Sequence, residues 1–466
     1  MPLIPPCRRV LPVLVAAVLA AAPAVAQSLP PAAEARRVAD SLISAFLASN
    51  NAPSVAVAVI RGTDTIAFVA KGMADLELGV AATPRHRYRI GSVTKQFTAA
   101  AVLQLAEQGK LGLDDAIGTH LPRLPGAWHA VTVRQLLNHT SGIPSYTGIG
   151  KPWMSRWDEE LPPDSLVALT ADKPMDFAPG TNWKYNNTGY VILGMLIEHH
   201  AGRSWGDDLV ERFAKPFGLA STLNCETAPI IPGRVRGYEP GNGGWTNTPH
   251  LPMSHPYAAG AICSTIGDLV TWNRALHGGK VLTPAMYTAM TTPSGVAAKP
   301  EHRYGFGIGS GPFHGATLVA HGGGINGFIT ANGFIPEHQL SLTVLTNSGR
   351  ADPDRLMRNL ARAAIGAPLD RPRATVPLAV EWRDRYVGTY LMTFGDAQRT
   401  FTVAAAGDGV TGQMQGQPPI PMLHLGNHVF GVAFDPGIRL TFAVDGTRVT
   451  GLALFQNGQT VPGIRQ

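Results

Sequence analysis

The sequence predicts an α+β protein. An antiparallel sheet is covered by terminal helices, a helical lobe is inserted between its strands, and a small antiparallel β domain follows. Three observations predict this. Strand patterns lie near both ends of residues 34–365, with helical periodicity and long loops between about 90 and 290. Pro368, Pro372 and Pro377 crowd residues 367–378, which read as a linker. Beyond them, alternating runs such as Arg439-Leu440-Thr441-Phe442-Ala443-Val444 are separated by Asp445-Gly446 and Asn457-Gly458, dipeptides favoured in two-residue hairpin turns.

The elements follow in order. Residues 1–26 read as a secretory signal: Arg8 and Arg9 lead an apolar run from Val10 to Ala22, and Ala24-Val25-Ala26 is a small-x-small cleavage site. The run is too short to span a bilayer, and no later segment is long and apolar enough to do so. Cys7 precedes the run, so it is not a lipid-bearing cysteine after it. The expected location is therefore the periplasm or the exterior. Residues 34–47 place Val38, Leu42 and Phe46 on one helical stripe. Residues 54–60 and 65–70 flank a Gly-Thr-Asp turn and read as a hairpin. Strands return at 304–308, 317–320, 327–335 and 340–346. A helix after Pro353 runs through Leu356, Leu360 and Ala364 to a stop at Gly366. The divisions are 1–26 signal, 27–366 main domain, 367–378 linker and 379–466 C-terminal β domain.

Within this frame Gly91-Ser92-Val93-Thr94-Lys95 carries the chemistry. Phe97, Ala101 and Leu105 repeat at helical spacing, with Gly109 as the stop, so Ser92 lies at a helix N-terminus and Lys95 one turn along. The N–H groups and dipole there favour developing negative charge. A lysine amine at that spacing can take the serine proton if burial keeps it neutral. Alone the pattern is equally a capping serine and a solvated lysine. Two further segments occur downstream. The first, after the Pro179-Gly180 turn, is Tyr185-Asn186-Asn187, followed by the apolar helix 190–197. The second is His321-Gly322-Gly323-Gly324-Ile325-Asn326-Gly327-Phe328, whose glycines let a substrate backbone lie against a strand edge.

Over about residues 34–365 these three motifs, in this order, resemble the serine β-lactamase-like hydrolases. That family includes class C β-lactamases, D-Ala-D-Ala carboxypeptidases, D-aminopeptidases and β-lactamase-fold esterases. The segments Leu136-Leu137-Asn138-His139-Thr140-Ser141-Gly142-Ile143-Pro144 and Ala259-Gly260-Ala261-Ile262-Cys263-Ser264-Thr265 belong to the resemblance as framework. It implies the β-lactamase/transpeptidase-like fold, and a lipocalin-like barrel as the form that some relatives carry after the catalytic domain. It also implies an acyl-enzyme mechanism on Ser92, with Lys95 and Tyr185 sharing the base and acid roles. The backbone N–H groups of Ser92 and Gly324 would form an oxyanion hole, and Asn187, His321, Gly322 and Gly323 would meet substrate. One departure matters: the family's usual third motif is Lys-Thr-Gly or Lys-Ser-Gly, and this chain has His321. A histidine holds charge only when protonated. Ligands with a free carboxylate are therefore expected to bind better near pH 6 than at pH 8, and an ester or a D-amino-acid peptide or amide ranks ahead of a β-lactam. The rival reading is a non-catalytic penicillin-binding or cell-wall-binding protein.

Other features bear on function less. Of 38 lysines and arginines the signal holds two, leaving 36 against 32 acidic residues, with no basic cluster. Nucleic acid is not an expected partner; a small molecule or peptide is, with cell-wall material as a weaker expectation. No cofactor or metal is indicated. Export permits a disulfide between Cys225 and Cys263, the alternative being two separate buried thiols. Gly202-Arg203-Ser204-Trp205-Gly206 matches a nucleophile elbow but follows a helix rather than a strand, so it reads as an interhelical turn. His199 and His200 read as surface residues, Gly305, Gly307 and Gly309 as strand glycines, and His139 as a buried framework residue.

Overall fold

The computed structural model describes residues 29–466 except 50, 242, 371–374, 395–396, 418, 433–437 and 457–458. The expected signal, the Asn457-Gly458 turn and part of the linker lie outside the described residues. Among the described residues no helix is long and apolar enough to cross a membrane.

A seven-stranded antiparallel sheet organises the larger part. Its strands are β1 (Ser54–Arg61), β2 (Asp64–Asp75), β3 (Val80–Ala81), β4 (Gly309–Phe313), β5 (Ala316–Ile325), β6 (Phe328–Ile335) and β7 (Leu340–Thr346), in the order β3-β2-β1-β7-β6-β5-β4. β1 joins strands from the two ends of this larger part, with Val57 opposite Val344 of β7. It is buried on both faces, which is why it reads as an unbroken apolar run. Val55, Val57 and Val59 face helices α1 (Ala32–Ala48) and α6 (Pro353–Ile365), joining Ile43, Leu356 and Leu360 in one core. Ala56, Ala58 and Ile60 face the helical lobe and join the core of α2 (Thr94–Glu107) and α5 (Ile266–His277). Between these helices lie α3 (Val133–Leu137), opened by a Thr132/Gln135 capping box, and α4 (Asn187–Ala201), capped by the Asn186 side chain.

One expected strand is misplaced. Residues 304–308 form a turn, and the strand begins at Gly309. Two glycines dictate this. A Cβ on Gly305 would lie 2.1 Å from the Met290 carbonyl oxygen, and one on Gly307, at φ +69, would lie 2.4 Å from the Lys95 carbonyl oxygen. They are close-approach glycines that let this turn press on the helix Pro284–Thr291 at Gly305 and on α2 at Gly307, not strand glycines. The interhelical reading of 202–206 holds: Gly202 is the left-handed cap of α4, and Ser204 caps the next helix through the Asp207 N–H. His200, expected at the surface, is only partly exposed; its Nε2 lies 3.2 Å from Nδ1 of His120.

The C-terminal part is a closed antiparallel barrel of eight strands between Gly388 and Arg465, preceded by helix α7 (Val380–Tyr386). Tyr390, Phe401, Phe430, Phe442 and Leu452 fill its interior. Asp445 pairs with Arg448, so Gly446, at φ +58, and Thr447 make the turn.

Cys225 and Cys263 are both fully buried and joined as a disulfide, with Cα atoms 5.0 Å apart. The bond crosses adjacent short strands, Leu223–Asn224 and Ile262–Ser264, just past the Ala259-Gly260 segment. Its 38-residue separation corresponds to about 4 kcal/mol in the chain-entropy account. Thermal unfolding under reducing conditions should therefore begin at a distinctly lower temperature than under oxidising ones. Equal midpoints, or labelling of both thiols in the unreduced denatured chain, would contradict the bond.

Candidate active site

Ser92 lies in a 3-10 turn, Gly91–Val93, that runs directly into α2. The turn is pressed on the third motif. Gly91 is at φ +50, and a Cβ there would lie 2.9 Å from the Gly324 nitrogen. A Cβ on Gly323 would lie 1.9 Å from the Ile90 carbonyl oxygen, which accepts a hydrogen bond from the Thr330 hydroxyl at 2.9 Å. The middle glycine is thus required by packing against the serine turn rather than by substrate. Gly322 and Gly324 are exposed, with open space beside Gly324. β4 pairs only with Ala316–Ala320 of β5, so residues 321–325 have no β4 partner along that edge.

Lys95 is fully buried. Its Nζ lies 2.8 Å from Asn187 Oδ1, 2.9 Å from the Ala259 carbonyl oxygen and 3.2 Å from Ser92 Oγ. Desolvation pushes its pKa well below the ordinary lysine value. The geometry fits the neutral amine. Both carbonyl oxygens can only accept, so in the neutral form that burial favours the amine's two hydrogens go to them and its lone pair is left for the Ser92 hydroxyl. Asn187 is oriented for this, since its Nδ2 donates to Thr147 Oγ1 at 3.1 Å and leaves Oδ1 toward the lysine. The Asn187 N–H is in turn held by Ser145 Oγ at 3.1 Å.

Tyr185 reaches the same point from the loop before α4; Lys95 Nζ lies 4.7 Å from its ring centre. Among the described residues its buried hydroxyl has no well-formed hydrogen bond. Burial raises its pKa above the usual phenol value, and the neighbouring Ser92 offsets this only in part. The loop is zipped to the 139–143 segment. The Gly180 N–H donates to the Thr140 carbonyl oxygen at 2.8 Å, the Asp176 N–H to that of Gly142 at 2.7 Å, and the Asn186 side chain to that of Ile143.

His321 departs from expectation. It is buried, with Nδ1 2.5 Å from the Gly322 carbonyl oxygen and Nε2 2.8 Å from the Tyr304 hydroxyl. A carbonyl only accepts, so Nδ1 carries the proton and Nε2 accepts from Tyr304. Desolvation is the first cause of a pKa lowered to about 4; a charge on Lys95, when present, would lower it too, and the Gly322 contact partly opposes the shift. It therefore stays neutral at pH 6, and the expected gain in carboxylate binding there is withdrawn. The partner Tyr304 was not foreseen, because its segment reads as strand.

An open cleft of about 490 Å³ lies beside Ser92, Asn187 and Gly324. Tyr146, Trp153, Leu251, His255 and Ile325 form its far wall. Trp153 Nε1 donates to His255 Nδ1 at 3.0 Å, and His255 Nε2 reaches the Glu159 carbonyl oxygen at 2.6 Å, so this wall is tied together, and it carries no Asp, Glu, Lys or Arg side chain. Of these wall residues, Ile325 lies within the third motif; no motif marks Tyr146, Trp153, Leu251 or His255. Among the described residues no cluster of His, Cys, Asp or Glu could hold a metal ion.

The family described as Beta-lactamase matches residues 39–367. The D-aminopeptidase of Brucella ovis is 29% identical over 339 residues, 72% of this chain and 63% of the relative, so the chain spans less than two thirds of that protein's length. A solved D-stereospecific amidohydrolase from Streptomyces sp. is 30% identical with a TM-score of 0.61, covering 73% of this chain and 100% of its own. The octameric penicillin-binding protein homologue from Pyrococcus abyssi shares the fold at a TM-score of 0.66 and 24% identity, covering 92% of this chain and 99% of its own.

Two outcomes follow from the ionisation states. Single-turnover acylation should fall as pH is lowered through the Lys95 pKa, because the protonated amine has no lone pair for Ser92, and Lys95→Ala should abolish it. Acylation in Lys95→Ala at the wild-type rate would rule out the amine. For His321, a carboxylate ligand should bind a Ser92→Ala variant equally at pH 6 and pH 8, since its pKa of about 4 lies below both. Calorimetric titration showing tighter binding at pH 6 would restore the charged imidazole.

Proposed function

The chain belongs to the beta-lactamase family, and from that premise we propose that it is an exported serine hydrolase forming an acyl-enzyme on Ser92. Its proposed substrates are amides or peptides of D-amino acids. The observation that carries the reading is the fully buried Lys95 amine, 3.2 Å from Ser92 Oγ and held by the Asn187 and Ala259 carbonyl oxygens. Lys95 Nζ takes the Ser92 proton as Oγ attacks the carbonyl carbon. The N–H groups of Ser92 and Gly324 receive the oxyanion. Burial lowers the pKa of Lys95 and raises that of Tyr185, which makes the amine the base and leaves the phenol protonated. Tyr185 then gives its phenol proton to the departing nitrogen or oxygen and regains one from the protonated Lys95, which returns both groups to their resting states, and water releases the acyl group by the reverse path.

The D-amino-acid assignment draws on the D-aminopeptidase and D-stereospecific amidohydrolase relatives. Two features of the cleft refine it. A neutral His321 offers no cation to a carboxylate beside the scissile bond, which favours amides and esters over β-lactams. The aromatic wall of Tyr146 and Trp153 suits an apolar acyl side chain. Esters are the second reading, supported by the same cleft, whose wall carries no Asp, Glu, Lys or Arg side chain. Export rests on residues 1–26 and fits a disulfide-bonded core.

Ser92→Ala should lower kcat on D-phenylalanine amide by about a thousandfold or more. Mass spectrometry after a fluorophosphonate probe should place the adduct on Ser92. An adduct on Ser204, or turnover of the L-amide faster than the D-amide, would count against the assignment.

A further inference from the structure

The loop that carries Tyr185 is gripped by a residue the reaction does not consume. His139 is 1% exposed and sits at φ +64, a conformation uncommon for a residue with a Cβ. It accepts from both backbone amides that flank Tyr185. The Lys184 N–H donates to its carbonyl oxygen at 3.1 Å, and the Asn186 N–H to its Nδ1 at 3.2 Å. Its ring packs on the Tyr185 ring with centroids 4.4 Å apart. The rings of Tyr304 and Tyr190, at 4.7 and 5.3 Å, enclose it.

A framework role alone does not account for this residue. Glycine or asparagine would meet the left-handed turn at lower cost. Because Nδ1 accepts, the neutral ring holds its proton on Nε2, and Nε2 is buried with no hydrogen-bond partner among the described residues. Such an unsatisfied donor costs about 1–3 kcal/mol. Backbone strain and an orphaned buried donor on one side chain, directly beneath an active-site phenol, mark a function that offsets them.

We propose that His139 is a positioning residue for Tyr185, fixing the phenol beside Ser92 and Lys95 by holding the main chain on both sides and the ring from below. This rests on the assignment of Tyr185 as the proton carrier. The test is a double-mutant cycle. His139→Gly keeps the left-handed turn and the carbonyl acceptor while removing the ring and Nδ1. It should slow single-turnover acylation by about 30-fold, somewhat less than the roughly 100- to 10,000-fold contribution of a whole acid–base group, with KM changed less than about threefold. In a Tyr185→Phe background the same substitution should cost less than about threefold, because the group it positions no longer transfers a proton.

Acylation by folded His139→Gly within threefold of wild type, or losses that multiply fully with Tyr185→Phe, would overturn the proposal. If circular dichroism shows that His139→Gly does not fold, His139→Asn carries the same cycle, since asparagine tolerates the turn, keeps an acceptor and lacks the ring; the same two outcomes decide. If Tyr185→Phe itself acylates like wild type, the assignment of Tyr185 fails and the positioning role fails with it. A wild-type-like His139 variant beside an impaired Tyr185→Phe sinks the positioning role alone.

Discussion

Taking the Lys95 amine wholly out of water is the constraint on which the rest of the site depends. A charged ammonium in that position would be strongly disfavoured, so burial converts the side chain into a base. The neutral amine then needs two acceptors and one donor. Asn187 and Ala259 supply the acceptors, and Ser92 supplies the donor. These residues come from distant parts of the chain, and the fold converges on meeting this one demand. Gly307, whose missing side chain admits its turn against the Lys95 carbonyl, packs the main chain of the same residue.

The same desolvation governs the neighbours in opposite senses. It raises the phenol of Tyr185, which therefore remains a proton donor, and it lowers the imidazoles of His139 and His321, which therefore remain neutral. A lysine in place of His321 would have to keep a charge beside Lys95. The histidine avoids that conflict by exchanging charge for two fixed hydrogen bonds, one to Gly322 and one from Tyr304. Substrate preference and base strength are thereby coupled through one dry, uncharged surrounding.

Much of this was legible in the sequence because it is written in side-chain type at fixed spacing. Ser92 and Lys95 sit one turn apart on a helix whose apolar period is plain, and the double-sided burial of β1 shows as a continuous apolar run. The Asp-Gly pair at 445–446 marked a hairpin of the barrel, displaced by one residue. What stayed hidden is carried by backbone or by neighbours distant in sequence. The Ala259 acceptor is a carbonyl that any residue would provide. Gly305 and Gly307 looked like strand glycines because the constraint on them comes from Met290 and Lys95. The charge state of His321 depends on burial and on Tyr304, neither of which periodicity reports. His139 read as framework because its grip on Tyr185 spans a separation of 47 residues and is made through backbone groups of the loop.

The central claim is that Lys95 rests as a neutral amine. A pH titration of lysine side-chain resonances by NMR in uniformly ¹³C,¹⁵N-labelled protein, with the Lys95 signal assigned by its loss in Lys95→Ala, measures this directly. The account predicts one lysine titrating well below the others, which should cluster near the reference value of about 10.4. A Lys95 signal that titrates together with the surface lysines would contradict it.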